Sequence, residues 1–101
     1  MTLLLLPMDG DDTQQSLLCK LDAVKKWALM RIEAGQVVEI SFYDKRESIT
    51  EWIDAVIVVS ENEYIWPFQE ENIAILVAPT QRSVDDIVEA FLFKELHEVS
   101  Y

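Results

Sequence analysis

Two side chains in this sequence could form a nucleophile and its base, Cys19 and His97. A thiolate–imidazole pair of this kind would serve acyl transfer if the fold brought the two together. The residues around each point elsewhere. Cys19 sits among leucines in a helix-like stretch, where a thiol is usually buried and inert. His97 falls in the last turn of a second helix-like stretch, where a cation suits the helix dipole. Structural zinc needs several Cys and His ligands, and the chain has one of each. The segment "DGDDT", residues 9–13, lacks the ligand spacing and closing glutamate of a calcium loop, and its acids read as a solvated lead-in to a helix cap. Gly10 and Gly35 are the only glycines, too few for a phosphate-cradling loop. The remaining carboxylates fall in turns and caps. No catalytic residue, metal ligand or cofactor site is expected.

The chemistry that remains is that of a surface. In "SENEYIWPFQEEN", residues 60–72, Tyr64, Trp66 and Phe68 alternate along a short run, and Glu61, Glu63, Glu70 and Glu71 bracket them. As a strand, the run would put the three aromatics on one face, which either packs on the core, the commoner arrangement, or leaves Trp66 partly exposed. Pro67 cannot donate to a sheet ladder, so that strand would be an edge. Trp and Tyr are favoured at interface hot spots, and a rim of acids would steer a basic partner toward them. These seven residues are the candidate partner-binding set.

Charge supports that choice. The net charge is -11. Residues 1–35 hold five acids and four bases, whereas residues 36–101 hold fourteen acids and four bases. From Glu47 to Gln81 there are seven acids and no base. Such a surface repels nucleic-acid phosphates and anionic lipid head groups. Direct nucleic-acid or membrane binding is therefore not expected, and a basic protein is.

The elements that would position these residues read as one domain over 1–101. Residues 1–12, "MTLLLLPMDGDD", form an apolar arm that lies on the fold or pairs with a sheet edge; four leucines are too few for a signal peptide or a membrane span. Residues 13–34 read as a helix, capped by Asp12 with Gln15 three positions on, striped by Leu17, Leu21, Val24, Ala28 and Ile32, and stopped by Gly35. Residues 36–78 read as four to five short antiparallel strands, beginning with the alternating "QVVEISFY" of 36–43. Ser83 caps a second helix over 83–98, with Asp85 and Asp86 in its first turn. Trp27 and Leu29 on the first helix, and Phe93 and Leu96 on the second, fall outside the apolar stripes. A second copy of the chain would cover them, so a homo-oligomer, in its simplest form a dimer, is expected. The lone Cys19 permits no intrachain disulfide, which fits a reducing cytoplasm.

The stretch "GQVVEISFYDKRESITEWIDAVIVVSENEYIWPFQEENIAILVAP" resembles the layout of Sm-like small β-barrels. Val38, Ile40 and Phe42 before the "DK" turn are similar to a first Sm strand. "IDAVIVVSENEYIWPFQEENIAIL" is similar to the Hfq-like pattern of an aspartate, a hydrophobic run, a polar turn, a strand and a closing apolar pair. The basic RNA-contacting residues of Hfq have no counterpart in 47–81, so the resemblance implies protein binding of the Rof-like kind rather than RNA binding. The expected fold is thus α+β: an N-terminal helix, an antiparallel small barrel or open meander, and a C-terminal helix. The expected function is that of an acidic, non-enzymatic protein-binding module, in one form an inhibitor that occupies the basic surface of a nucleic-acid-binding protein. A homo-oligomeric structural subunit, an immunity protein and an acidic secretion chaperone fit the same features.

Overall fold

The computed structural model describes residues 2–99, which leaves Met1 of the expected arm outside the described residues. The apolar arm is not an arm. Thr2–Met8 forms strand β1, paired on one side with β2 (Lys26–Glu33) and on the other with β4 (Ala55–Val58). A run of leucines without alternation suits a strand buried on both faces. Leu4, Leu5 and Leu6 are fully buried accordingly.

This central strand decides the fate of residues 13–34, where the expected helix is absent. The capping chemistry is present but local: Asp12 Oδ1 accepts from the N–H groups of Gln14 and Gln15, and Ser16 N–H reaches the Asp12 carbonyl at 2.9 Å. One turn forms and stops. Leu18 N–H then bonds to the Arg82 carbonyl and Cys19 N–H to the Pro7 carbonyl. After a short 3₁₀ turn, Leu21–Ala23, the chain extends as β2 and pairs antiparallel with β1 from Thr2↔Ile32 to Met8↔Lys26. In β2, Ala28, Met30 and Ile32 face one layer of core and Trp27 packs against the other, with Leu29 and Arg31 sharing its side by strand alternation. Trp27 and Leu29 were off-stripe only in a helical reading. Apolar residues all round are what a strand buried on both faces requires. Gly35 does adopt a left-handed conformation, with φ 75°, but beside Ala34 at φ 54°. The two form a tight hairpin turn into β3 (Gln36–Tyr43), not a helix stop.

The strands of 36–78 are likewise not an antiparallel meander. β4 runs parallel to β1, and β5 (Ala74–Val77) runs parallel to β4. β6 (His97–Glu98) closes antiparallel on β5. The result is an open six-stranded mixed sheet in the order β3-β2-β1-β4-β5-β6, which replaces both the barrel and the helix-flanked layout. The run "EYIWPF" is no strand. Helix α1 (Trp66–Glu70) carries Pro67 in its first turn, where the missing N–H costs nothing, and connects the parallel β4 and β5. Helix α2 spans Val84–Leu92; Ser83 Oγ accepts from Asp86 N–H at 3.1 Å, as their spacing predicts. It ends well short of residue 98, where Lys94 takes φ 60° and Glu95 N–H bonds back to the Ala90 carbonyl.

Each face of the sheet has its own core. Leu4, Leu6, Met30 and Ile57 face α2, which buries Val84 and Ile87 on them. Leu5, Val56, Val58 and Ile75 face a thinner cover made by Phe68 of α1, Trp27, Ile49, Ile53 and Ile65. Asp54 ties β1 to the entry of β4: Leu3 N–H donates to its Oδ2 at 2.8 Å, and Asp54 N–H donates to the Leu3 carbonyl at 2.9 Å.

Candidate functional site

The thinly covered face holds the aromatic run, and the run is divided between core and surface. Phe68 is 5% exposed, and its ring centroid lies 6.3 Å from that of Trp27 with the planes tilted. The guanidinium of Arg46 sits 4.5 Å above the Phe68 ring and pairs with Glu71. Tyr64 and Trp66 are 73% and 57% exposed. The cause is the change from strand to helix. A strand would align all three, whereas at helical spacing Phe68 turns inward while Trp66 turns out. A third exposed aromatic, Trp52 at 89%, shares a cleft with Ile49, Ile53 and Ile73 of the same core. It was not among the sequence candidates. The available signal was a Trp flanked by Glu51 and Asp54 in a stretch whose apolar residues belong to neither period.

The glutamates also divide. Glu63 is a structural clamp: its Oε1 accepts from Leu21 N–H at 2.6 Å and its Oε2 from Val59 N–H at 3.1 Å. Glu71 is engaged by Arg46. Glu61 and Glu70 are exposed and, among the described residues, form no ion pair. Two clefts flank Arg46. One, of about 420 Å³, lies between Trp27, Tyr64 and Phe68; the other, of about 600 Å³, lies between Trp52, Ile53 and Ile73.

The four residues expected at an oligomer interface do not share a surface. Leu29 is buried within the sheet, and Trp27 is half-buried against Phe68. Leu96 packs on the opposite core, and Phe93 is 71% exposed at the end of α2. Cys19 and His97 are also apart. The Cys19 backbone hangs on β1 through the Pro7 carbonyl, while His97 lies on β6 at the far edge of the sheet. Burial raises the Cys19 pKa, reinforced by Asp9 and Glu63, so the thiol is held in its weakly nucleophilic form. The acids of "DGDDT" serve the backbone: Asp9 Oδ1 accepts from Leu17 N–H at 2.8 Å, and Asp12 caps its own turn. Among the described residues, no group of three or more His, Cys, Asp or Glu is placed to hold a metal ion. Among them too, no helix is long and apolar enough to cross a membrane.

A second region follows from topology. In an open sheet with parallel strands, ligands favour the crevice at the carboxyl ends where connections diverge to opposite sides. Here that point lies between β1 and β4. A cleft of about 430 Å³ opens beside it, lined by Lys20, Leu21 and Asp22 and by Ser60, Asn62 and Glu63 from the turn after β4.

Comparison with protein-family models and with curated proteins finds no match. Solved structures do match. A crystal structure of a candidate dinitrogenase from Methanocaldococcus jannaschii is 21% identical, with a TM-score of 0.75 over 97% of this chain and 94% of that one. The NMR structure of a candidate NifB protein from Thermotoga, assigned to the DUF35 family, is 11% identical, with a TM-score of 0.78 over 100% of this chain and 96% of that one. What is shared is the fold. The match runs over nearly the full length of each chain, so the mixed sheet is a recurrent arrangement rather than a peculiarity of this sequence.

Proposed function

We propose that this chain is a non-enzymatic module that binds a basic protein on its acidic aromatic face. One observation carries the reading: Trp52, Tyr64 and Trp66 are exposed, Trp52 beside Ile53, Tyr64 beside Phe68, and Trp66 on the helix that carries Phe68. Large exposed aromatics in an acidic surround fit hot-spot anchors with a steering rim. Glu61 and Glu70 belong to that rim; Phe68 and Glu63 support it from within. An inhibitor that covers a basic nucleic-acid site with carboxylates is one form of this activity. The test uses the full chain as an affinity bait for proteins of its source organism, against a Tyr64→Ala/Trp66→Ala bait. Capture should weaken as screening shortens from about 10 Å at 0.1 M salt to about 3 Å at 1 M. It should disappear with the double variant, whose thermal melt still shows a folded protein. Capture that is indifferent to both changes refutes the reading.

A second reading rests on the cleft at the β1/β4 carboxyl edge, a position suited to a small ligand. Chemical-shift mapping of a small-molecule library would support it if responses cluster at residues 60–64, and would exclude it if they do not.

A further inference from the structure

The cleft of about 600 Å³ beside Trp52 has a composition that selects a ligand. It lies between the Arg46–Ser48 turn, the segment leading into β4 and the residues just before β5. Ile49, Ile53 and Ile73 give it apolar walls. Glu47, Glu51 and Glu71 bring three carboxylates, and Arg46 is the single base. That base is already engaged twice, by the Glu71 carboxylate and by the Phe68 ring. Among the described residues, neither Glu47 nor Glu51 forms an ion pair. The cleft therefore keeps two uncompensated negative charges beside an indole that is 89% exposed.

An indole face attracts a cation, and a guanidinium both stacks on it and bonds carboxylates in a planar fork. An arginine side chain has, in addition, an aliphatic stem suited to isoleucine walls. A compact ammonium uses the carboxylates but gains less from the ring. Anions are repelled by the net charge of the lining. We infer that this cleft receives an arginine side chain of the partner protein, a deepening that rests on the protein-binding function proposed above.

The test is a titration of ¹⁵N-labelled full-length protein with the peptide acetyl-Gly-Arg-Gly-amide, followed on the indole N–H signals of Trp27, Trp52 and Trp66. The controls are the same peptide with citrulline, which keeps shape and removes charge, and with lysine. The arginine peptide should shift the Trp52 indole and the backbone of residues 47–53 in a saturable way below roughly 10 mM, the range of a single side-chain contact. The citrulline peptide should bind about tenfold more weakly or not at all, and the lysine peptide between the two. Glu47→Gln/Glu51→Gln should weaken arginine binding about fivefold or more, as expected for lost charge-assisted contacts. Trp52→Ala should abolish the response of residue 51 without lowering the melting temperature. Equal responses to arginine and citrulline, a response centred on Trp66, or no response overturns the assignment. Failure here, with protein capture still lost in the Tyr64→Ala/Trp66→Ala bait, removes the arginine cleft alone. Failure of both removes the protein-binding function with it.

Discussion

The aromatic residues of this face should differ in stability cost according to their burial, and Phe68→Ala is the decisive change. A Phe ring buries about 150–250 Å². At about 25 cal/mol per Å², its nearly complete burial contributes roughly 4–6 kcal/mol in transfer terms. Alanine keeps part of that, and the cavity adds to the loss, so a cost of about 3–5 kcal/mol is expected. The Arg46 guanidinium above the ring loses its partner in the same step. Against a total stability of roughly 5–15 kcal/mol, the variant retains only part of its margin. Its urea midpoint should fall by at least about 1 M, and its melting temperature by more than about 12 °C. Trp66→Ala, with less than half of its surface buried, should cost about 1–2 kcal/mol, and Trp52→Ala under about 0.5 kcal/mol. The assay is urea denaturation followed by circular dichroism on all three variants. An order in which Trp52 or Trp66 costs more than Phe68 would refute the division of the run into a core residue and two surface residues.

Three further outcomes follow from single contacts. Glu63→Gln removes the charge from an acceptor of two backbone N–H bonds and should cost about 1–3 kcal/mol in urea denaturation, with a loss near zero arguing that the clamp does not hold in solution. Ala34→Asn places a residue tolerant of positive φ at the first turn position and should raise the stability by about 0.5–1 kcal/mol, read as a higher urea midpoint; an unchanged or lower midpoint would contradict the turn assignment. The exposed Lys26–Asp44 pair lowers the Asp44 pKa through its hydrogen bond and raises that of Lys26. Its small stabilisation is thus full between the unfolded-state values of about 3.9 and about 10.4, and is lost as pH falls through the folded Asp44 value or rises through the folded Lys26 value. Melts of the wild type and Asp44→Asn should differ at neutral pH and converge only as pH falls through the folded Asp44 value, below the unfolded value of about 3.9, and a difference that persists once Asp44 is protonated would sink the assignment.

Local chemistry was legible in the sequence wherever neighbours along the chain decide it. The Ser83 cap, the Asp12 capping bonds, the strand over 36–43 and the left-handed Gly35 all stand as their residue types require. Asp12 shows the limit: its cap forms, yet no helix follows, because a capping residue signals where a turn starts and not how far it continues. Residues 26–33 satisfy both a helical and a strand period, and the tie is broken by β1, whose unalternating leucines need a paired strand on each side. That partner lies about 24 residues away in sequence, and no window-based pattern contains it. Pro67 carries two meanings, sheet edge or first helical turn, and the parallel pairing of β4 with β5 selects the second because such strands need a crossover. Strand direction is itself not written in hydrophobic alternation, so parallel and antiparallel sheets could not be told apart before the pairing was known. The surface followed the same rule. Acidity and aromatic content are sums over residues and were readable at once. Which aromatics face water, and which glutamates hold the backbone instead of meeting a partner, depends on contacts between distant segments such as Glu63 with Leu21 and Arg46 with Glu71, and only the folded chain brings those together.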